Sequence, residues 1–167
     1  MAYWRLYYHL IWSTKNRDPR ITDELQALVE NAMRNRLHAL GVLIHGIGIM
    51  PEYVHLALSI PPRHSISVVV AQSKGAASFL ARQQYADPDD DTSFTWQTGY
   101  GVFSFSETAL PEVVSYLANQ KTHHETGELW PGLERVDPPR TERPVRKDRP
   151  RHESGPVKLS DSQDLVR

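Results

Sequence analysis

The sequence predicts an α+β protein with a ferredoxin-like, split βαβ fold: a four-stranded antiparallel sheet, helices on one face and an extra C-terminal helix. Segments rich in aromatic and β-branched residues, typical of strands, occur at four places along the chain. The intervals between them carry apolar residues at helical spacing. The resulting order, β-α-β-β-α-β-α, is that of a split βαβ unit followed by one further helix.

The first half of the chain is predicted to supply a strand over residues 3–14, a charged loop over 15–20, a helix over 22–40, and strands over 42–50 and 53–60. Thr22 is the residue type that caps a helix N-terminus, and Gly41 is a natural helix stop. Pro51 and Glu52 separate the two later strands, which are therefore expected to form a hairpin.

The second half is predicted to supply a helix over residues 65–85, a strand over 99–105, and a helix that starts near Pro111 and ends near residue 124. An acidic loop lies between the first two of these elements. From residue 137 onward the chain is rich in Pro and Arg and poor in apolar residues. We therefore expect a domain over residues 1–136 and a flexible tail over 137–167.

Composition limits the functions that the chain can have. It contains no cysteine and no apolar run long enough to cross a membrane, which suits a cytoplasmic protein without a membrane partner. Any metal ion must then bind to His, Asp, Glu, Gln or Tyr. The formal net charge is −1 and the tail is basic, so residues 1–136 are slightly acidic and DNA binding would depend on a local basic surface.

The third predicted strand has one apolar and one more polar face. Because side chains alternate along a strand, Tyr53 and His55 point the same way, as do Ala57 and Ser59, while the residues between them face the core. Two potential ligands that lie two residues apart on a strand can converge on one ion. Taken alone, the pattern is more often that of a hydrogen-bonded surface histidine.

The last predicted helix places a phenol beside an amide. Tyr116 and Gln120 are four residues apart and therefore share a face of the helix, as do Asn119 and His123. A phenol can attack a phosphodiester only when it loses its proton, and a nearby divalent ion stabilises the charge that develops. Spacing alone leaves open that Tyr116 only packs against the sheet.

Five segments resemble the small single-tyrosine, HUH-type transposases of bacterial insertion sequences, including the REP-associated tyrosine transposases. They are, in the family's order, residues 8–17 (YHLIWSTKNR), 50–62 (MPEYVHLALSIPP), 67–75 (SVVVAQSKG), 96–100 (WQTGY) and 116–120 (YLANQ). Together they span roughly residues 3–130. Each segment is modest alone, but all five in this order are specific.

The resemblance implies a mechanism and its partners. Tyr116 would attack a DNA phosphate to form a 5′-phosphotyrosine, and His55 and Gln120 would hold Mg²⁺ or Mn²⁺ on that phosphate. The substrate would be single-stranded DNA that contains a hairpin, and the protein would act as a homodimer. The basic residues expected at the DNA are Lys15, Arg17, Lys74 and Lys121.

One departure from the family pattern leaves the metal site open, because Tyr53 stands where the family has the first histidine of its HUH pair. Tyr53 ligates weakly as a phenolate, or His9 or Glu52 supplies the missing ligand, or the ion and DNA cleavage are lost. The first two outcomes predict an active transposase, and the third predicts a non-catalytic protein that binds DNA hairpins. Independently of the resemblance, such sheets also form small-ligand regulatory domains.

Overall fold

The computed structural model describes residues 3–84 and 94–120. The helices and strands are β1 (Tyr7–Ser13), α1 (Asp23–Ala39), β2 (Leu43–Ile49), β3 (Tyr53–Ser59), α2 (Ile66–Gln84), β4 (Gly101–Phe105) and α3 (Leu110–Ala118). In this part of the chain, no helix combines the length and the hydropathy needed to span a bilayer.

The four strands form one antiparallel sheet in the order β2-β3-β1-β4. β2 and β3 form the predicted hairpin, and β1 inserts between β3 and β4. The predicted ferredoxin-like α+β class is therefore confirmed. The central position of β1 and β3 matters for function, because side chains on these two strands have neighbours on both sides.

The main core lies between one face of the sheet and the helices α1 and α2. The sheet contributes the apolar face of β3, which includes Val54, Leu56 and Leu58, as the alternation of side chains predicts. The opposite face of the sheet is covered by α3 through a second, smaller cluster of buried residues: Ala57, Val113, Tyr116 and Leu117. The more polar face of β3 is thus also buried, but under the last helix.

Local signals for α1 act as predicted. The hydroxyl of Thr22 accepts a hydrogen bond from the backbone N–H of Leu25 at 3.3 Å and so caps the helix. The chain leaves the helix at Gly41, whose φ of +70° lies in the left-handed region that favours glycine.

Several predicted boundaries were wrong, for reasons of strand pairing. β1 begins at Tyr7 rather than at residue 3, because Tyr7 already pairs with Ser59 and Phe105, which end β3 and β4. Residues 3–6 have no strand left to pair with. β4 likewise begins at Gly101, where its pairing with Ile11 of β1 starts. α3 is described as far as Ala118, and the predicted end of this helix near residue 124 lies outside the described residues.

Two loop predictions also need comment. Residues 15–17, predicted as plain loop, form a single 3₁₀ turn in which Asn16 and Arg17 have φ near +58° and +59°. His123, the acidic loop over 87–91 and the proposed tail over 137–167 lie outside the described residues, so these predictions stay predictions.

Candidate active site

Two histidines meet on the face of the sheet that α3 covers. His55 lies in the middle of β3, and His9 lies on β1 opposite Ala57, the next residue of β3 on that face. Nε2 of His9 and Nδ1 of His55 are 3.0 Å apart, which is a hydrogen-bond distance, and both side chains are fully buried. Burial lowers the pKa of His9 to about 4, so its ring is neutral in neutral solution.

α3 brings Tyr116 and Gln120 to the same face. Tyr116 belongs to the same buried cluster as Ala57, which lies two residues beyond His55 on β3, and Tyr116 is only 7% exposed. Gln120 follows Asn119, the residue that caps α3, and is 2% exposed. The predicted nucleophile and the two predicted ligands therefore lie on one buried surface between β3 and α3.

One of the two glycines of β2, Gly48, allows this close approach of α3. A Cβ at position 48 would overlap the side-chain oxygen of Gln120 and lie 3.0 Å from the backbone oxygen of Leu117. Since Gly48 is the cross-strand partner of His55, the amide of Gln120 lies beside His55. At Gly46 a Cβ would make only an ordinary contact, 3.5 Å from Cδ2 of Leu117.

The glycines were missed by reading the sequence for reactive side chains, although a signal was present. Glycine in the interior of a strand often marks a position where another backbone approaches closely. The segment Gly46-Ile47-Gly48 has two glycines on one face of its strand.

Tyr53 is the first residue of β3. It is half-buried, and its ring stands edge-on to that of His55 with centroids 6.2 Å apart. The guanidinium carbon of Arg17 lies 5.7 Å from the centre of the Tyr53 ring. The turn that carries Arg17 is anchored to the hairpin, because the backbone N–H of Thr14 donates to the carbonyl of Glu52 at 2.9 Å.

The residues predicted to contact DNA do not form one group. Lys15 and Arg17 are exposed on the 3₁₀ turn beside Tyr53, at one edge of the site. Lys74 lies on α2, on the other side of the sheet, so the structure does not bring it to the site. Lys121 lies outside the described residues.

Lys74 has a role of its own in the structure. Its amine donates to the carbonyls of Gln97 and Gly99, each at 2.8 Å, and lies 5.7 Å from the ring centre of Trp12. Burial lowers the pKa of Lys74 to about 8. A neutral amine still has two N–H donors for the two carbonyls, so the contact does not need the charge that a phosphate would require.

The ligand atoms on this surface can supply only part of the coordination shell of a metal ion. Within residues 3–84 and 94–120, no group of three or more His, Asp or Glu residues could hold an ion. The imidazole of His55 and the amide oxygen of Gln120 are ligand types that Mn²⁺ and Mg²⁺ accept. Such a set fits an ion that completes its shell with water and a substrate phosphate, rather than a tightly held resident ion.

The fold and the site together define a class: proteins with a split βαβ sheet in which a tyrosine-bearing helix covers the face that carries a buried histidine. Residues 2–120 match the family model for IS200-like transposases. The ISDra2 transposase TnpA of Deinococcus radiodurans is 28% identical over 120 residues, which is 70% of this chain and 85% of that protein.

Solved structures agree with this match. A transposase structure from Deinococcus radiodurans superposes with a TM-score of 0.57 at 29% identity and covers 72% of this chain and 95% of its own. A REP-associated tyrosine transposase bound to a REP hairpin has a TM-score of 0.57 at 13% identity, over 78% of this chain and 81% of its own, and shows likeness of fold alone. The chain belongs to the IS200-like transposase family, and its function is DNA transposition.

Proposed function

We propose that this transposase cleaves and rejoins single-stranded DNA through Tyr116, with Mg²⁺ or Mn²⁺ held by His55 and Gln120. The observation that carries the proposal is the packing of Tyr116 and Gln120 against the sheet face that holds His55. A small-ligand regulatory domain would have no reason to collect a phenol, an amide and an imidazole on one surface.

In the proposed reaction, the phenol oxygen of Tyr116 attacks a DNA phosphorus. The bond from phosphorus to the 3′ oxygen of the neighbouring nucleotide breaks as the new bond to the tyrosine forms, which leaves a 5′-phosphotyrosine. The phenol proton leaves, and the departing 3′ oxygen becomes a hydroxyl by taking up a proton. When bound, the divalent ion would neutralise charge on the phosphate. Attack of a 3′-hydroxyl on the phosphotyrosine reverses these bond changes and rejoins the strands.

The residues around the site support DNA as a ligand in this geometry. Lys15 and Arg17 project from the turn beside Tyr53, where a strand that enters the site would pass. We propose that they contact phosphates, that Lys121 does so from the other side of Gln120, and that the strand carries a hairpin. A REP hairpin is bound by one structural neighbour. We also propose that the protein acts as a homodimer.

The test is a covalent adduct. Purified protein is incubated with Mn²⁺ and single-stranded oligonucleotides that carry the hairpins found on either side of the gene, and the products are separated on a denaturing gel. We expect a protein–DNA adduct that is absent in Tyr116→Phe and in excess EDTA. Tyr100→Phe, which alters another partly buried tyrosine outside α3, is the control and should retain the adduct. Persistence of the adduct in Tyr116→Phe would refute the assignment.

A second function is favoured by Tyr53, which stands where the resemblance expects a histidine ligand. A neutral phenol is a poor ligand for Mg²⁺. The second candidate is therefore a family member that binds DNA hairpins without cutting them. The same samples distinguish the two: hairpin binding that is unchanged by EDTA, with no adduct in any divalent ion, would replace the first proposal by the second.

A further inference from the structure

The contact between His9 and His55 has a consequence for the proposed metal site. Nδ1 of His55 faces Nε2 of His9 at 3.0 Å, and neither ring has exposed surface. Each imidazole has two nitrogens, and the partner of one nitrogen decides which protonation form the ring adopts. The role of His9 therefore determines which nitrogen of His55 is available to an ion.

A shared ion between the two rings is disfavoured by the surroundings of His9. Its cross-strand partners are Ala57 and Phe103, and the Phe103 ring lies 6.1 Å from its own. Tyr116 shares a buried cluster with Ala57. Ala57 and Phe103 offer no side-chain oxygen to an ion between Nε2 of His9 and Nδ1 of His55, whereas the amide oxygen of Gln120 lies beside His55 on the side of Gly48.

We infer that His9 is the positioning residue of His55: it accepts a hydrogen bond from Nδ1–H of His55 and so leaves Nε2 of His55 as the nitrogen that binds the metal. An ion on Nε2 requires the proton of a neutral ring to be on Nδ1, and the atom that faces Nδ1 is Nε2 of His9. This inference rests on the proposed role of His55 as a ligand. It removes His9 from the candidates for the missing ligand and gives it a different function.

Two substitutions at position 9 separate positioning from ligation, with Co²⁺ as the probe because imidazole binds it well. His9→Leu removes the acceptor, and we expect it to weaken Co²⁺ binding roughly 10- to 100-fold, the usual cost of losing such a partner. His9→Gln retains an acceptor oxygen, and we expect it to recover most of the affinity. His55→Gln should abolish binding. Thermal unfolding of each variant checks that it folds.

The second measurement is the ¹⁵N NMR spectrum of the histidine side chains with Zn²⁺ bound, which is diamagnetic. We expect His55 to show a metal-bound Nε2 and a protonated Nδ1. The inference would be overturned by any of three results. These are a metal ion bound to Nδ1 of His55, an unchanged Co²⁺ affinity in His9→Leu, and a loss of Co²⁺ binding in His9→Gln as complete as in His55→Gln. Equal Co²⁺ binding by the unaltered protein and His55→Gln would instead remove the proposed metal site itself.

Discussion

His55 shows how much of this site depends on single residue positions. The period of two along β3 directs it to the face of Ala57, and the register with β2 places Gly48 directly beside it. Because Gly48 has no Cβ, the amide of Gln120 can occupy the space beside the imidazole. A change of one methyl group at this position should therefore affect the site, although glycine itself has no reactive atom.

We predict that Gly48→Ala damages the site and Gly46→Ala does not. The added methyl at position 48 overlaps Gln120 and presses on the backbone of α3, which cannot yield as a side-chain end can. We expect a loss of about 1–3 kcal/mol in the free energy of unfolding. Adduct formation should fall more than tenfold. Urea unfolding and the adduct assay measure the two effects.

Gly46→Ala is the matched control, because it adds the same methyl to the same strand face under the same helix without an overlap. A further variant separates the effect of the steric overlap at position 48 from the effect of losing Gln120 as a metal ligand. Gly48→Ala combined with Gln120→Ala should regain part of the lost stability, since the overlapping side-chain oxygen is gone while the close approach to the backbone oxygen of Leu117 remains. It should not regain adduct formation. If Gly48→Ala and Gly46→Ala behave alike, the space at position 48 is not what positions Gln120.

At the scale of elements, local patterns predicted the parts of the site but not their assembly. Alternation along β3 correctly separated His55 from the main core. Helical spacing put Tyr116 and Gln120 on one side of the last helix, and both side chains are buried in the structure. The hydrogen bond between His9 and His55 depends on the register of β1 against β3, two strands far apart in sequence. The contact at Gly48 depends on how α3 docks, which no local pattern encodes.

α3 also raises a question of access to Tyr116. At 7% exposure, Tyr116 is nearly buried, and it belongs to the cluster between α3 and β3. Because so little of Tyr116 is exposed, we expect α3 to shift on the sheet when a DNA phosphate binds at the phenol oxygen. The cluster that holds α3 is small, with Val113, Leu117 and Ala57 as its other buried members. A shift of this helix therefore disturbs far less buried apolar surface than a shift of α1 or α2 would.

On the opposite side of the sheet, we predict that Lys74 is a structural residue. Lys74→Met removes both donors to the 97–99 loop, and we expect it to lower the free energy of unfolding by about 1–3 kcal/mol. Lys15→Met, at an exposed lysine, is the control and should change it by no more than about 0.5 kcal/mol. Urea unfolding at neutral pH compares the two variants.

The loss of unfolding free energy in Lys74→Met should depend on pH in a defined direction. Burial lowers the pKa of Lys74 to about 8 in the folded protein, while the unfolded chain keeps the ordinary lysine value of about 10.4. Between these values the unfolded state binds more protons, so the stability contributed through Lys74 rises with pH. The difference in the free energy of unfolding between the unaltered protein and Lys74→Met should therefore become larger from pH 7 to pH 9.5. A difference that shrinks would contradict the lowered pKa.

At the scale of the whole molecule, the two faces of the sheet have different roles. The face toward α1 and α2 carries the large core, and the face toward α3 carries the histidines, the phenol and the amide. The formal net charge of −1 gives no general attraction for DNA. Electrostatic affinity is therefore expected to depend on local basic residues, and in the described part of the chain Lys15 and Arg17 are exposed on the turn beside Tyr53.

We therefore predict that the combined change Lys15→Gln and Arg17→Gln reduces the salt dependence of DNA binding. Each phosphate contact on a single strand contributes about 0.7 to the slope of log affinity against log salt concentration, so the slope should fall by up to about 1.4. Arg34→Gln with Arg36→Gln removes the same charge from the exposed surface of α1 and should leave the slope unchanged. Fluorescence anisotropy of a labelled single-stranded oligonucleotide over a salt series measures both. Equal slopes for the two variants would place the DNA path away from the turn at Lys15, because a strand that reaches Tyr116 past Tyr53 must pass these two side chains.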